Sequence, residues 1–267
     1  LVAAGVVRDG VGGERAAVFT SATLQLGGSF ATVAEQLGLR KGEWVGQDVG
    51  SPFDYSAQGI LFVPDRLAPP GPGWPTPQAL GTACDLVVAA GGRALVLMAS
   101  WAGVAAMADA LGAVVPGDLI VQKRGEPTGP LIRSFSEQED SVLVGTLVLW
   151  QGVEVPGEAS TLVVIDKLPF PPPTDPVVSA RQAAVDAHGG SGWMQVSLPQ
   201  AAVTLAQGAG RLIRTTQDRG VVAILDSRLA NRRYGSYLRR SLPPFTFMTD
   251  TAKVCEALRR LDAGLST

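Results

Sequence analysis

Short, nearly unbroken apolar runs alternate along the chain with longer stretches in which apolar residues recur every three to four positions. Apolar runs without polar alternation predict strands that are buried on both faces of a sheet. We expect strands at 16–20, 43–50, 59–65, 93–100, 118–122, 140–146, 160–170 and 220–227. We expect helices at 30–39, 77–91, 101–113, 130–139, 175–188, 199–214, 231–240 and 250–262. This alternation indicates βαβ units, and therefore an α/β domain with a mainly parallel central sheet.

The composition is that of a folded protein, because 46% of the 267 residues are hydrophobic and only 17% are charged. The length fits one large domain, and we treat residues 1–267 as one. Cys84 and Cys255 lie far apart and outside any metal-binding spacing, which favours a reducing, cytoplasmic location. Residues 94–115 are apolar enough to raise the question of a membrane span, but Asp109 and the β-favouring start predict a strand and a packed helix instead.

Charge is distributed unevenly along the chain. The net charge is -2, yet residues 211–240 hold eight arginines against Asp218 and Asp226. This basic sector therefore carries +6 and the remaining residues carry -8. It predicts either a surface that faces phosphates or a solvated helix face, and the pattern alone leaves both open.

Polar segments follow several predicted strands. They are TSATL at 20–24, ASW at 99–101, GT at 145–146, WQGVEVPGE at 150–158 and DSR at 226–228. Ligands of an open parallel sheet bind beyond the carboxyl ends of its strands. We therefore expect these segments to converge on one binding edge.

Two arginines stand out near the end of the helix predicted at 199–214. Arg211 and Arg214 lie three residues apart, which places both guanidinium groups on one helix face, and Gln207 lies one turn earlier. Two permanently charged forks at this spacing suit a phosphate chain. Gly208 and Gly210 would allow a close approach to the backbone or to a nucleotide. A surface cluster of ion pairs is the alternative.

The segment from Leu205 to Arg228 resembles motif VI of superfamily 2 DNA helicases, in the form of the DinG/XPD-like branch. Further segments resemble parts of that family in the same order along the chain. They are VFTSATL (motif III), GSPFDY, ALVLMASW (motif IV), LVGTLVLWQGVEVPGE (motif V) and DKLPFPPPTDPV. The resemblance implies a RecA-like, three-layer α/β domain that forms the second motor domain of an ATP-dependent helicase.

The resemblance also implies roles for individual residues. Arg211 and Arg214 would contact the γ-phosphate of ATP, oriented by Gln207, from the ligand-facing edge of the sheet. Further nucleotide contacts would come from Gln151, Gly152, Glu154 and Gly210. Many family members carry glutamate at position 151 and aspartate at position 154, so the resemblance does not fix the contacts of these two residues.

Single-stranded DNA is the second ligand that the resemblance implies. Small hydroxyl groups would bind its phosphates, at Ser21, Thr23, Ser100 and Thr146. Trp101 would stack on a base, whereas Trp150 fits the core better. Each hydroxyl is also a common turn-capping group, which is the structural alternative.

The chain contains no phosphate-binding G-x-x-x-x-G-K-[ST] loop, no Asp-Glu dipeptide in that order and no metal site. The resemblance implies that ATP and Mg²⁺ are held mainly by an N-terminal motor domain of the same polypeptide, and it leaves room for an iron–sulfur cluster upstream. We expect 5′-to-3′ movement on DNA. Two alternatives stay open: a degenerate RecA-like binding module without motor activity, and the motor part of a helicase-like exonuclease.

Overall fold

The computed structural model describes Gly5, Gly10 and residues 16–115, 117–138, 140–150, 160–210 and 212–265. The chain divides into two compact units. The first consists of residues 1–51, 170–207 and 236–242, and the second of residues 52–169, 208–235 and 243–267.

The second unit contains a seven-stranded sheet in which every neighbouring pair is parallel. Its strands are β1 (Gly59–Phe62), β2 (Ala94–Met98), β3 (Leu119–Val121), β4 (Val142–Thr146), β5 (Leu162–Ile165), β6 (Gly220–Ile224) and β7 (Thr246–Met248). Their order across the sheet is β3-β4-β2-β5-β6-β1-β7. The predicted parallel α/β architecture is confirmed.

Helices connect these strands. In the second unit they are α2 (Tyr55–Gln58), α3 (Pro77–Ala89), α4 (Trp101–Gly112), α5 (Thr128–Glu137), α8 (Arg228–Asn231) and α10 (Thr251–Leu265). A 3-10 turn, Leu147–Trp150, follows β4. The first unit contains α1 (Ala31–Gln36), α6 (Pro176–Ala187) and a π-helical segment, Trp193–Ser197. Helices α7 (Leu198–Ala209) and α9 (Gly235–Arg240) each begin in one unit and end in the other.

Both faces of the central strands β2, β4, β5 and β6 are buried. On one face, alternate strand residues such as Val96, Val144 and Val164 pack with α3, α4 and α10 in a single core cluster. Residues of the opposite parity, such as Leu143 and Ile165, are also buried. Because side chains alternate between the two faces of a strand, burial at both parities requires a cover on both faces. This explains why these strands read as unbroken apolar runs.

In the first unit, a turn is fixed to α9. The Gly27 N–H donates to the Ser241 hydroxyl at 2.7 Å, and Arg240 Nε donates to the Gly27 carbonyl at 3.0 Å. Gly27 has a φ of 61°, and a Cβ there would overlap the Tyr237 ring. Only glycine fits this turn without displacing that ring.

Two predicted strands are absent, so those predictions were wrong. Residues 16–20 and 43–50 form no strand and are almost entirely exposed, with Val45 96% and Val18 87% accessible. Neither segment pairs with the described sheet, in which no strand precedes Gly59. An apolar run becomes a strand only where a neighbour satisfies its backbone groups.

The C-terminal third also differs from the prediction. The helix expected to reach residue 214 ends at Ala209, between Gly208 and Gly210, both poor helix formers. The helix expected at 231–240 is divided into α8 and α9. Strand β7 was missed because Thr246 and Phe247 are exposed and give no apolar run.

Residues 94–115 fold as β2, α4 and the turn after it, as expected. Of the helices that the structure describes, none has the length and apolar character needed to cross a membrane.

Candidate functional site

The carboxyl edge of the sheet is built around the ends of β2 and β5. The chain leaves β2 toward β4 and β3 on one side, and leaves β5 toward β6 on the other. Such a reversal of strand order opens a crevice at the carboxyl ends. At this point the Asp166 carboxylate accepts the Ala99 N–H at 2.9 Å and joins the two strand ends.

Asp166 is an unusual carboxylate, because it is only 1% exposed. Burial raises its pKa to about 6, although Lys167 and the Ala99 N–H act in the opposite direction. Among the described residues its Oδ2 atom has no hydrogen-bond partner, and neither does the nearby indole N–H of Trp74. The Trp74 group is therefore close enough to influence the carboxylate without forming a hydrogen bond of ordinary geometry.

A second buried carboxylate, Asp226, follows β6. It accepts the Leu168 N–H at 3.0 Å and three side-chain hydrogen bonds from Arg228, the shortest at 2.6 Å. The Asp226 side chain is fully buried, whereas that of Arg228 is 26% exposed. A bidentate fork of this kind fixes the strand end and neutralises the acid. Asp226 is therefore a structural residue of this edge.

Thr146 lies at the carboxyl edge as predicted, but its hydroxyl points into the protein. Both its N–H and its hydroxyl donate to Gln122 Oε1, at 2.8 and 3.1 Å. Both side chains are buried. Thr146 therefore ties the end of β4 to the residue after β3, and its hydroxyl is not presented to an incoming phosphate.

Ser100 and Trp101 follow β2 at the same edge. The Ser100 hydroxyl accepts the Gly103 N–H at 3.1 Å and caps α4, as the structural alternative predicts. Trp101 is half-buried, with the Arg124 guanidinium 5.6 Å from its ring centre. This cation–π contact covers one face of the ring. A stacked base would therefore have to use the other face or displace Arg124.

The amino edge of the sheet carries the arginine loop, which we define as residues 212–219. It leads into β6, whose first residue, Gly220, pairs with Gly59 of β1. Gln58 directly precedes β1 and donates to the carbonyls of Thr215 and Asp218, at 2.8 and 3.0 Å. The arginine loop therefore lies at the amino ends of β1 and β6.

This position corrects two expectations about Arg214. Arg214 lies in a loop, not on a helix face, because α7 has already ended at Ala209. The loop that bears it stands at the amino edge, opposite the carboxyl edge where we expected all ligand contacts. Arg214 is half-buried, and its N–H donates to Asp218 Oδ2 at 2.7 Å.

Four other predicted site residues lie in the described part of the chain. Gln207 is exposed on α7, and Gly210 is half-buried just after that helix. Ser21 and Thr23 belong to the first unit, where their hydroxyls bond to each other at 3.2 Å. The remaining predicted site residues lie outside the described residues: Gln151, Gly152, Glu154 and Arg211. The side chain of Trp150 lies outside them as well.

The basic sector at 211–240 is not a uniform phosphate-facing surface. Arg228 is bound to Asp226, and Arg219 Nη1 donates to the carbonyls of Thr216 and Asp218. Arg240 donates to the Gly27 carbonyl. At least three of the eight arginines are therefore already bonded to protein oxygens.

Sequence reasoning missed three polar residues that organise the two edges: Gln58, Gln122 and Asp166. Each stands beside an apolar strand, Gln58 just before β1, Gln122 just after β3 and Asp166 just after β5. A polar side chain adjoining an apolar strand was the available signal. Their partners, 157, 24 and 67 residues away, could not be read from the sequence.

The second unit is a parallel α/β lobe with the arginine loop at its amino edge and capped strand ends at its carboxyl edge. Comparison with solved structures identifies the same class of α/β fold. The chain matches the solved structure named "XPD_APO" with a TM-score of 0.51 and 18% identity, over 72% of this chain and 40% of that one. At this identity the match shows the fold alone, which is the predicted RecA-like one.

Sequence comparison places the chain within that class. Residues 83–245 match the family described as "Helicase C-terminal domain", and the chain belongs to that family. It is 48% identical over 246 residues to the "ATP-dependent helicase DinG" of Mycobacterium tuberculosis (strain ATCC 25177 / H37Ra), covering 91% of this chain and 37% of the relative. It is 38% identical to the "ATP-dependent DNA helicase YoaA" of Haemophilus influenzae, covering 92% and 38%. The chain thus spans well under half of the relatives' length.

The described residues fit only part of a nucleotide site. Among them, no group of three or more His, Cys, Asp or Glu side chains could hold a metal ion. The arginine loop carries two arginines, Arg214 and Arg219.

Proposed function

We propose that this chain is the C-terminal motor lobe of an ATP-dependent helicase that moves 5′ to 3′ on single-stranded DNA, and that residues 1–267 act together as this lobe. The proposal is carried by the extended identity with relatives named as ATP-dependent helicases. The two-edged geometry supports it, because a lobe that must address a nucleotide and a DNA strand at once needs two separate surfaces.

ATP and Mg²⁺ are held mainly by an N-terminal motor domain of the same polypeptide, which is the intramolecular partner of this lobe. Any iron–sulfur cluster belongs to that preceding domain, and the protein works in the cytoplasm. Bound ATP supplies the phosphoryl group whose transfer to water drives movement. The residues of this chain stabilise the negative charge that develops on that group.

Each predicted site residue keeps a role in this proposal. Arg211 and Arg214 contact the γ-phosphate, and Gln207 orients Arg211. Nucleotide contacts also come from Gln151, Gly152, Glu154 and Gly210. DNA contacts come from Ser21 and Thr23 of the first unit and from Ser100, Trp101 and Thr146 of the second. Because Thr146 and Ser100 are bonded internally, their contribution is to position backbone N–H groups at the strand ends.

The test uses the polypeptide that carries both motor domains. Arg211→Ala and Arg214→Ala should each lower DNA-stimulated ATP hydrolysis by roughly 10³-fold or more, the effect of removing an arginine finger. Arg259→Ala, at an exposed arginine of α10, is the matched control and should retain wild-type turnover. Wild-type hydrolysis in both arginine variants would favour the degenerate binding module. An accompanying exonuclease domain, the second alternative, would leave this test unchanged.

A further inference from the structure

The side chains of Asp218 and Thr215 hold the arginine loop through hydrogen bonds within the loop. Asp218 Oδ2 accepts the N–H groups of Arg214 and Thr215, at 2.7 and 2.8 Å. Asp218 Oδ1 accepts the Thr215 hydroxyl at 2.7 Å, and the oxygen of that hydroxyl in turn accepts the N–H of Gln217 at 3.2 Å. One carboxylate therefore fixes the backbone on both sides of the Arg214 peptide.

A second constraint comes from a distant part of the chain. Gln58 is only 5% exposed, and its amide nitrogen donates to two loop carbonyls, those of Thr215 and Asp218. A single planar NH₂ group that serves two carbonyls requires them to lie at a fixed separation and angle. Gln58 therefore holds the shape of the loop from outside, while Asp218 holds it from within.

Gln58 is itself firmly placed. It is the last residue of α2, whose N-cap, Asp54, accepts the Ala57 N–H at 3.1 Å. The Tyr55 ring packs edge-on against Phe245, with ring centres 5.6 Å apart. Strand β1 begins at the next residue, so the sheet fixes the other side of Gln58. The amide is therefore presented from a rigid base rather than from a loop.

We infer that Gln58 and Asp218 are positioning residues that hold Arg214 in place for its phosphate contact, an inference that rests on the proposed function. Neither side chain touches the nucleotide. Gln58 acts through the loop carbonyls and Asp218 through the Arg214 and Thr215 N–H groups. The GSPFDY segment precedes Gln58 and has a structural role in this inference. Its Asp54 caps α2 and its Tyr55 packs against Phe245, which fixes the helix that carries Gln58.

The first arm of the test measures the loop itself by hydrogen exchange on this chain. Gln58→Leu keeps a similar volume and removes both donors, and it should speed exchange of the Arg214 and Thr215 amides about tenfold, the effect of losing one net hydrogen bond. Gln78→Leu, at an exposed glutamine of α3, is the matched control and should leave them unchanged. Asp218→Asn, at a half-buried site, should speed exchange of these amides to the same extent. It replaces Gln58→Leu in the test if that variant fails to fold. Unchanged exchange in a folded variant overturns the inference.

The second arm measures ATP hydrolysis in the polypeptide with both motor domains. Gln58→Leu should lower kcat about 10- to 100-fold, with a small change in KM, because a misplaced catalytic group costs rate more than binding. In an Arg214→Ala background the same substitution should have little further effect, because it acts through Arg214. Additive losses would overturn the inference, since they would show a merely structural role.

The two arms separate two failures. Faster amide exchange together with an Arg214→Ala variant of normal turnover would overturn the proposed function, while showing that the loop is still held as described. Unchanged exchange together with a strongly impaired Arg214→Ala variant would overturn only the positioning roles of Gln58 and Asp218.

Discussion

The two edges of the sheet are held in opposite ways. At the carboxyl edge the organising acids, Asp166 and Asp226, are buried and join neighbouring strand ends. At the amino edge the organising acid, Asp218, is half-buried, and the side-chain bonds described for it lie within its own loop, while neutral Gln58 supplies the buried contact.

This difference has an energetic meaning. A buried charge is costly unless it is fully paired, so changes at the carboxyl edge should affect the stability of the whole second unit. A half-buried loop network costs less to open, so changes at the amino edge should be felt locally. The phosphate contact proposed for Arg214 would therefore lie at the amino edge, where a local rearrangement costs less.

The sharpest challenge to this comparison is Asp226→Ala. It leaves the Leu168 N–H and the Arg228 guanidinium without their acceptor, and it should lower the free energy of unfolding by about 3–5 kcal/mol. Urea unfolding of the chain measures this loss. Asp65→Ala, at an exposed side chain after β1, should change it by less than about 0.5 kcal/mol. Equal losses in both variants would contradict the special status of the buried acid.

Asp166→Asn tests the same edge through pH. The folded pKa of about 6 lies above the ordinary value of 3.8, so the folded state holds its proton more tightly. The stability that this provides is complete below pH 4 and is lost as the pH rises through 6, a change of about 2–3 kcal/mol. Asparagine can still accept the Ala99 N–H, so the variant should unfold without this pH dependence and be more stable than wild type at pH 8. Parallel curves for the two proteins from pH 4 to 8 would refute the assignment.

Gly59→Ala tests the packing beneath the amino edge. A Cβ at this position would overlap the Phe245 ring, so we expect a loss of about 1–3 kcal/mol from overpacking, measured by urea unfolding. Gly81→Ala is the control, because nothing lies near its Cβ in α3, and it should stabilise by about 0.5–1 kcal/mol. A tolerated alanine at position 59 would mean that the base of Gln58 is less rigid than described.

Ser100→Ala should have the smallest effect. It removes the N-cap of α4 and should lower the free energy of unfolding by about 1 kcal/mol. Thr76→Ala, which removes the corresponding cap of α3, should cost a similar amount. If Ser100 also positions DNA, only Ser100→Ala should weaken binding of single-stranded DNA by the two-domain polypeptide.

The sheet could be predicted where its strands form apolar runs, which includes the half-buried edge strand β3. Strands β2, β4, β5 and β6 lie inside predicted segments because burial on both faces leaves an apolar run. The segment 16–20 is a short, mainly apolar run and 43–50 mixes apolar with polar residues, and neither has a neighbour to pair with, which composition does not encode. Strand β7 lies at the sheet edge and carries exposed residues, so its sequence contains no apolar run that would predict a strand.

The candidate site was predictable to the level of strand ends. The positions of Ser100, Trp101 and Thr146 at the carboxyl edge followed from strand–helix alternation. The direction of the Thr146 hydroxyl did not, because it depends on Gln122 of a neighbouring strand end. The amino-edge placement of Arg214 was missed because the helix was extended five residues too far, past Gly208 and Gly210, although glycine is a common signal of a helix end.

The internal bonding of Arg219, Arg228 and Arg240 has a consequence for ionic strength. A guanidinium group that already serves a protein oxygen displaces fewer condensed cations when a polyanion arrives. Counting basic residues would therefore overstate how steeply affinity for a polynucleotide declines with added salt, and the logarithmic slope should correspond to fewer ions than the eight arginines suggest.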